Sequence, residues 1–193
     1  MKKVLVMFDC FGVICGEIAP FIFAKYYKDP EEAKRRKNEF CHPADLGLVT
    51  EREMFENIAA AIGIDTDSLE VEWNSYVRLN EEIIPIIKKL SESCDLAMLS
   101  NAMEGLGDRC LERFNLAPLF DKVFLSFRHG IAKPDPAYYR LCVDSFKKNY
   151  DEIYMIDDNP ANLEPLAALG IKGILYENIN SLLESKALSA LLG

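Results

Sequence analysis

Histidine is scarce: His42 and His129 stand alone in 193 residues, too few and too far apart to build a zinc site on imidazole ligands. The six cysteines (Cys10, Cys15, Cys41, Cys94, Cys110 and Cys142) are scattered singly, with no C-x-x-C pair. That excludes the usual thiolate metal frameworks and leaves reduced thiols, acting as small hydrophobes, as the expectation. Basic excess is missing too. The net charge is −9 and no Lys/Arg stripe is evident, so a nucleic-acid partner would lack the basic face that a phosphate backbone requires. No stretch approaches the roughly 18 apolar residues of a membrane span. The apolar run after Met1-Lys2-Lys3 stops at Asp9, short of a signal-peptide core, and no small-residue cleavage site follows. No membrane partner and a cytoplasmic location are therefore expected. Internal repeats and low-complexity segments are also absent.

Half of the residues are hydrophobic and 27% are charged, proportions of a folded domain of ordinary size, or of a compact core with a modest insertion. Short apolar runs recur along the chain: Val4 to Phe8, Leu96 to Leu99, Lys122 to Leu125, Ile153 to Ile156 and Lys172 to Tyr176. Continuous runs of this length, separated by amphipathic segments, predict a doubly wound parallel sheet, an α/β fold with helices on both faces. Helix punctuation agrees. Asp135-Pro136 and Asn159-Pro160 each pair an N-cap with proline at the first helical position, and the second helix is expected to end at Gly170. Asn80, followed by two glutamates and the stripe Ile83, Ile84, Ile87 and Leu90, reads as another helix start.

The stretch from Gly16 to Asn80 breaks the alternation and contains no convincing strand. It reads as helices over Ile18 to Tyr27 and Glu31 to Phe40, with further helices opened at Thr50-x-x-Glu53 and Asp67-x-x-Glu70. The charge run EEAKRRK within it is expected to be a solvated helix face. The expected organisation is a core of residues 1–15 and 81–193, with residues 16–80 as a helical insertion just after the first strand. An insertion there would lie over the carboxyl ends of the strands, where open α/β sheets bind ligands.

Polar groups stand at those strand ends. Asp9 follows the first strand, Ser100 the second and Asp157-Asp158 the fourth, while Lys133 lies shortly beyond the third. If the first and fourth strands are neighbours, Asp9, Asp157 and Asp158 converge and raise one another's proton affinity. A hard cation relieves that repulsion, and Mg²⁺ accepts a few carboxylates together with water and phosphate oxygens. Lys133 adds a positive charge and Ser100 a hydroxyl donor for a phosphate.

The series FDxxGV, LSN, GxxKPDP and IDDN resembles, in order, the four signature motifs of the haloacid dehalogenase-like hydrolases, and it covers nearly the whole chain. The resemblance implies a Rossmann-like sheet in the order 3-2-1-4-5 with a small helical cap inserted after the first strand. It also implies phosphatase chemistry on a small phosphorylated metabolite, a sugar phosphate being one such substrate. Asp9 would attack phosphorus and form an aspartyl-phosphate. Mg²⁺ would be held by Asp9, Asp157, Asp158 and the backbone carbonyl of Phe11. Ser100, Asn101 and Lys133 would bind the phosphoryl oxygens, Lys133 also keeping Asp9 ionised.

One departure stands out. Similar phosphatases carry a second aspartate two residues after the nucleophile, as the acid for the leaving oxygen, and here that residue is Phe11. Glu17 is a candidate replacement. An aromatic at this place also resembles the 2-haloacid dehalogenases, which attack carbon without a metal, but those resemble one another in lacking an acidic pair such as Asp157-Asp158. A third reading is a binding module that has kept the fold and lost turnover. The aromatic residues of the insertion, Phe21, Phe23, Tyr26, Tyr27, Phe55, Trp73 and Tyr76, are expected to pack its helices, and Arg128 and His129 to lie on a surface loop.

Overall fold

The computed structural model describes residues 2–192. Strands β1 (Val4–Phe8), β2 (Asp95–Ser100), β3 (Lys122–Leu125), β4 (Glu152–Asp157) and β5 (Lys172–Leu175) form one sheet in the order β3-β2-β1-β4-β5. Every adjacent pair is parallel. These are the five apolar runs of the sequence. The inner strands β1, β2 and β4 are covered on both faces, so they carry hydrophobic residues with little alternation, whereas the edge strand β5 buries only Ile174.

The two faces of β1 show how the core divides. Val4, Val6 and Phe8 pack with Ile83, Ile87 and Leu90 of one helix, Leu106 and Cys110 of another, and Leu182 and Leu188 near the C-terminus. Leu5 and Met7 pack on the opposite face with Tyr138, Tyr139, Cys142 and Leu166. All six cysteines are free thiols, and five are buried, as expected of small hydrophobes.

Between β1 and β2 the chain forms α1 (Ala19–Tyr26), α2 (Pro30–Asp45), α3 (Glu51–Ile62), α4 (Thr66–Ser75) and α5 (Ile83–Ser91). Thr50 caps α3 in a capping box: its hydroxyl accepts the Glu53 amide at 3.2 Å, and the Glu53 carboxylate accepts the Thr50 amide at 2.7 Å. Asp29 caps α2 by accepting the Glu32 amide, and this helix continues beyond Phe40 to Asp45. Other expected starts move. Asp65, rather than Asp67, caps α4 by accepting the Ser68 amide at 2.9 Å, and Asp67 instead pairs with Arg52. Asn80 caps no helix, since its side chain donates to the Val13 carbonyl and the Tyr176 hydroxyl. It thereby stitches the returning chain to the loop after β1.

Beyond β2 lie α6 (Glu104–Arg113), α7 (Pro136–Ser145), α8 (Pro160–Leu163), α9 (Ile179–Glu184) and α10 (Lys186–Leu192). Asp135 and Asn159 cap α7 and α8 as expected. The helix expected to run to Gly170 is broken into α8 and a 3₁₀ turn at Leu166–Leu169, because Pro165 has no amide hydrogen to continue the ladder. The last two helices had no counterpart in the reading of the sequence.

Two contacts tie α1–α4 to α6 and to the turn after β3. Arg109 of α6 makes a two-pronged ion pair with Glu51 at the start of α3, at 2.7 and 2.8 Å. Gly47, with φ of +69°, packs so closely on the Ser126–Arg128 turn after β3 that a Cβ would come within 2.7 Å of the Phe127 carbonyl oxygen. No helix among the described residues is long and apolar enough to cross a membrane.

Candidate active site

From β1 the chain passes to β2 and β3 on one side and then crosses to β4 and β5 on the other. The strand order therefore reverses between β1 and β4, and the crevice beyond their carboxyl ends is where such sheets hold ligands. The ladder runs right to that edge: Phe8 stands opposite Ile156, and the Asp9 amide donates to the Ile156 carbonyl at 2.9 Å. Asp9, Asp157 and Asp158 consequently emerge together, and one carboxylate oxygen from each lies within 4.8 Å of the others.

Lys133 reaches the same point from beyond β3. Its buried ammonium is 2.8 Å from Asp9 Oδ2 and 2.6 Å from Asp157 Oδ2. The Asn101 side chain holds the backbone of Lys133 at both ends, accepting its N–H at 2.8 Å and donating to its carbonyl at 2.9 Å. Ser100 is fully buried at the end of β2. Its hydroxyl donates to the Asn101 carbonyl at 3.3 Å, and its own carbonyl accepts from the Tyr138 hydroxyl at 3.1 Å.

The two acids after β4 differ. Asp157 is saturated, accepting from Lys133, from the Asn159 amide at 2.9 Å and from Asn162 Nδ2 at 2.9 and 3.1 Å. Asp158 Oδ1 is buried with no hydrogen-bond partner. Gly12, at φ +87°, passes so close beneath that any Cβ would run into the Asp158 carboxylate. The glycine of FDxxGV thus supplies both a left-handed turn and the room for that acid.

Burial pushes the Asp9 carboxyl well above its usual range, Lys133 pulls it down, and Asp157 and Asp158 push it up again. Asp158 is raised to about 6 by burial, then by Glu17 and Asp157. One lysine among three converging carboxylates leaves negative charge uncompensated. A buried acidic oxygen without a donor, beside a second carboxylate, fits a hard divalent cation.

Above the cluster lies a cavity of about 460 Å³, bordered at its base by Asp9, Phe11, Lys133 and Asp158. Asn101 and Asn162 also border it, and Glu17 does so from the linker after β1. Its far wall is α2, which contributes Lys34, Lys37, His42 and Asp45. The EEAKRRK run is therefore only partly a solvated face. Glu32, Arg35, Arg36 and Glu39 pair along the outside, whereas Lys34 and Lys37 turn to the cavity. Trp73 also borders it. The indole packs edge-on against Phe55 at 5.4 Å, and its N–H is buried without a partner. Phe23 and Phe55 are core residues, while Phe21 stacks on Tyr76 at the surface. Arg128 pairs with Asp108, His129 is exposed, and neither borders the cavity.

The structure thus gathers Asp9, Phe11, Asn101, Lys133, Asp157 and Asp158 at one edge, with Ser100 directly behind. Asn162 and the α2 residues were missed. Asn162 follows Asp157 by five positions, one turn into α8, which is a signal the sequence offered. The inward face of α2 carried only a weak signal, the small residues Ala33, Cys41 and Ala44 interspersed among charges.

Residues 4–170 match the family model of the haloacid dehalogenase-like hydrolases. The chain belongs to that family and is a hydrolase. The "Phosphorylated carbohydrates phosphatase" of Thermotoga maritima is 26% identical over 95% of this chain and 88% of its own length. Bifunctional epoxide hydrolase 2 of Sus scrofa is 36% identical over 40% of this chain, a match that spans only 14% of that longer protein. A HAD family enzyme of Bacteroides thetaiotaomicron, solved in complex with magnesium and inorganic phosphate, shares the fold with a TM-score of 0.73 at 23% identity, over 92% of this chain and 95% of that one.

Proposed function

We propose that the protein is a Mg²⁺-dependent phosphatase acting on a small phosphorylated metabolite, with phosphorylated carbohydrates the first class to try. The observation that carries this reading is the meeting of Asp9, Asp157 and Asp158 around Lys133 at the base of an accessible cavity. The similarity to the Thermotoga phosphatase and the magnesium and phosphate bound to the Bacteroides enzyme support it.

In this reading Asp9 attacks phosphorus, the ester oxygen departs, and water hydrolyses the resulting aspartyl-phosphate. Lys133 holds Asp9 ionised and faces the phosphoryl oxygens. Asp158, Asp9 and the Phe11 carbonyl hold Mg²⁺. Asp157 closes the acidic cluster, but with its oxygens engaged its main work is to orient Lys133. Asn101 acts in the same way through the Lys133 backbone, and its own backbone amide remains for the substrate. Ser100 binds phosphate once its hydroxyl turns from the Asn101 carbonyl. The bound cation supplies charge neutralisation for the phosphoryl group. Residues 16–80 act as a cap over a core of residues 1–15 and 81–193.

The dehalogenase reading rests on Phe11. A metal-free displacement at carbon gains nothing from Asp158 beside its nucleophile, where an unpaired acid opposes the ionisation of Asp9. Hydrolysis of p-nitrophenyl phosphate with and without Mg²⁺, by the wild type and Asp9→Asn, tests the proposal. Metal-dependent turnover that vanishes in the variant is expected. Halide release from 2-chloropropionate without metal would overturn it in favour of the dehalogenase. Inactivity in both assays would leave the non-catalytic module.

A further inference from the structure

Phe11 stands where a second aspartate would protonate the departing oxygen, and its ring has no proton to give. Besides the acidic cluster, two carboxyls border the cavity, Glu17 and Asp45. They face different things. Glu17 also borders a neighbouring cleft with Gly12, Asp158 and Pro160, and it adds to the repulsion on Asp158. Its place is beside the metal-binding acids. Asp45 borders the cavity that holds Asp9 and Lys133 and not the neighbouring cleft.

Its position is built in. Lys34, Lys37, Cys41 and Asp45 recur at three- and four-residue spacing, so they form one stripe along α2 facing the cavity. Asp45 ends that stripe on the core side. Two residues on, Gly47 is pressed against the Phe127 carbonyl, which anchors this end of the helix to the turn after β3. A carboxyl here is also at the negative pole of a helix of 16 residues, where the dipole disfavours ionisation. Lys37 on the same helix and Lys133 on the core loop oppose that effect, Glu17 reinforces it, and burial outweighs all of them, raising Asp45 to about 7. Cys41 and His42 are the remaining titratable neighbours on this part of the helix that border the cavity.

We propose that Asp45, delivered by α2 into the cavity, is the proton donor to the leaving oxygen, in place of the acid missing at Phe11. This rests on the phosphatase reading above. As Asp9 bonds to phosphorus, the phosphorus–ester oxygen bond breaks and that oxygen takes the Asp45 proton, leaving the alcohol and an Asp45 carboxylate. In the second half, water attacks the aspartyl-phosphate and gives a proton to Asp45. This releases inorganic phosphate and restores both carboxyl groups to their starting states.

The test compares p-nitrophenyl phosphate, whose leaving group departs unaided, with phenyl phosphate, whose more basic phenoxide needs the proton. Asp45→Asn is expected to lower kcat on phenyl phosphate by about 10²-fold, at the lower end of what a general acid contributes, and on p-nitrophenyl phosphate by less than about tenfold. Glu17→Gln should leave the ratio of the two rates where the wild type has it. In the wild type, phenyl phosphate turnover should fall as the pH rises through about 7, because the acid must be protonated, and this measurement needs no variant. Equal losses on both esters in Asp45→Asn, a selective loss in Glu17→Gln instead, or no decline with pH would each overturn the assignment. Wild-type turnover that survives Asp9→Asn would overturn the phosphatase reading itself, and with it this one.

Discussion

Asp158 carries the clearest unmet demand of any residue. Its carboxyl is raised from 3.8 to about 6, chiefly by burial. A carboxyl whose proton affinity rises on folding contributes fully to stability while both states are protonated, below about pH 4. That contribution is lost as the pH climbs through 6, where the unfolded chain has already ionised. In EDTA, Asp158→Asn is therefore expected to raise Tm at pH 7.5 by roughly 2–4 °C and to give no gain near pH 4. A variant no more stable than wild type at pH 7.5 would show that the acid is relieved without metal. Asp9, Lys133 and the Asp157-Asp158 pair were legible because each directly follows a strand or a tight loop, where sequence position fixes place. Asp157 and Asp158 looked alike as letters. Only the third dimension showed one with its donors met and the other without.

At the scale of elements, the inner strands were legible because burial on both faces leaves a plain apolar signature. Helix starts were less so. Asn80 has the composition of a cap and spends its side chain on Val13 and Tyr176, partners contributed by distant segments of the chain. The largely polar α2 gave only a faint hydrophobic phase, from Ala33, Cys41 and Ala44, so Lys34, Lys37 and Asp45 were placed firmly only once the helix was seen against the core. Gly47 fixes that placement. Gly47→Ala adds a Cβ at positive φ against the Phe127 carbonyl. It is expected to cost about 1–3 kcal/mol in a urea unfolding titration, and unchanged stability would mean that this contact yields freely.

For the molecule as a whole, a cation bound only by the folded chain adds stability by mass action. Mg²⁺ at about 100 times its dissociation constant adds roughly 2.7 kcal/mol, equivalent to about 5–10 °C in Tm for a chain of this size. The rise should vanish in Asp158→Asn. An equal rise in that variant would place the ion elsewhere.

The pairing of β1 with β4 also bears on how the molecule is made. Asp9 is synthesised well before Lys133, Asp157 and Asp158, and they meet only when the β1–β4 rung of the sheet joins distant parts of the chain. Such a late, long-range closure is entropically expensive and slow. A ribosome-bound chain that has not yet emitted β4 therefore carries no assembled cluster of acids and lysine, and the appearance of turnover during refolding becomes a clock for the final zipping of the sheet.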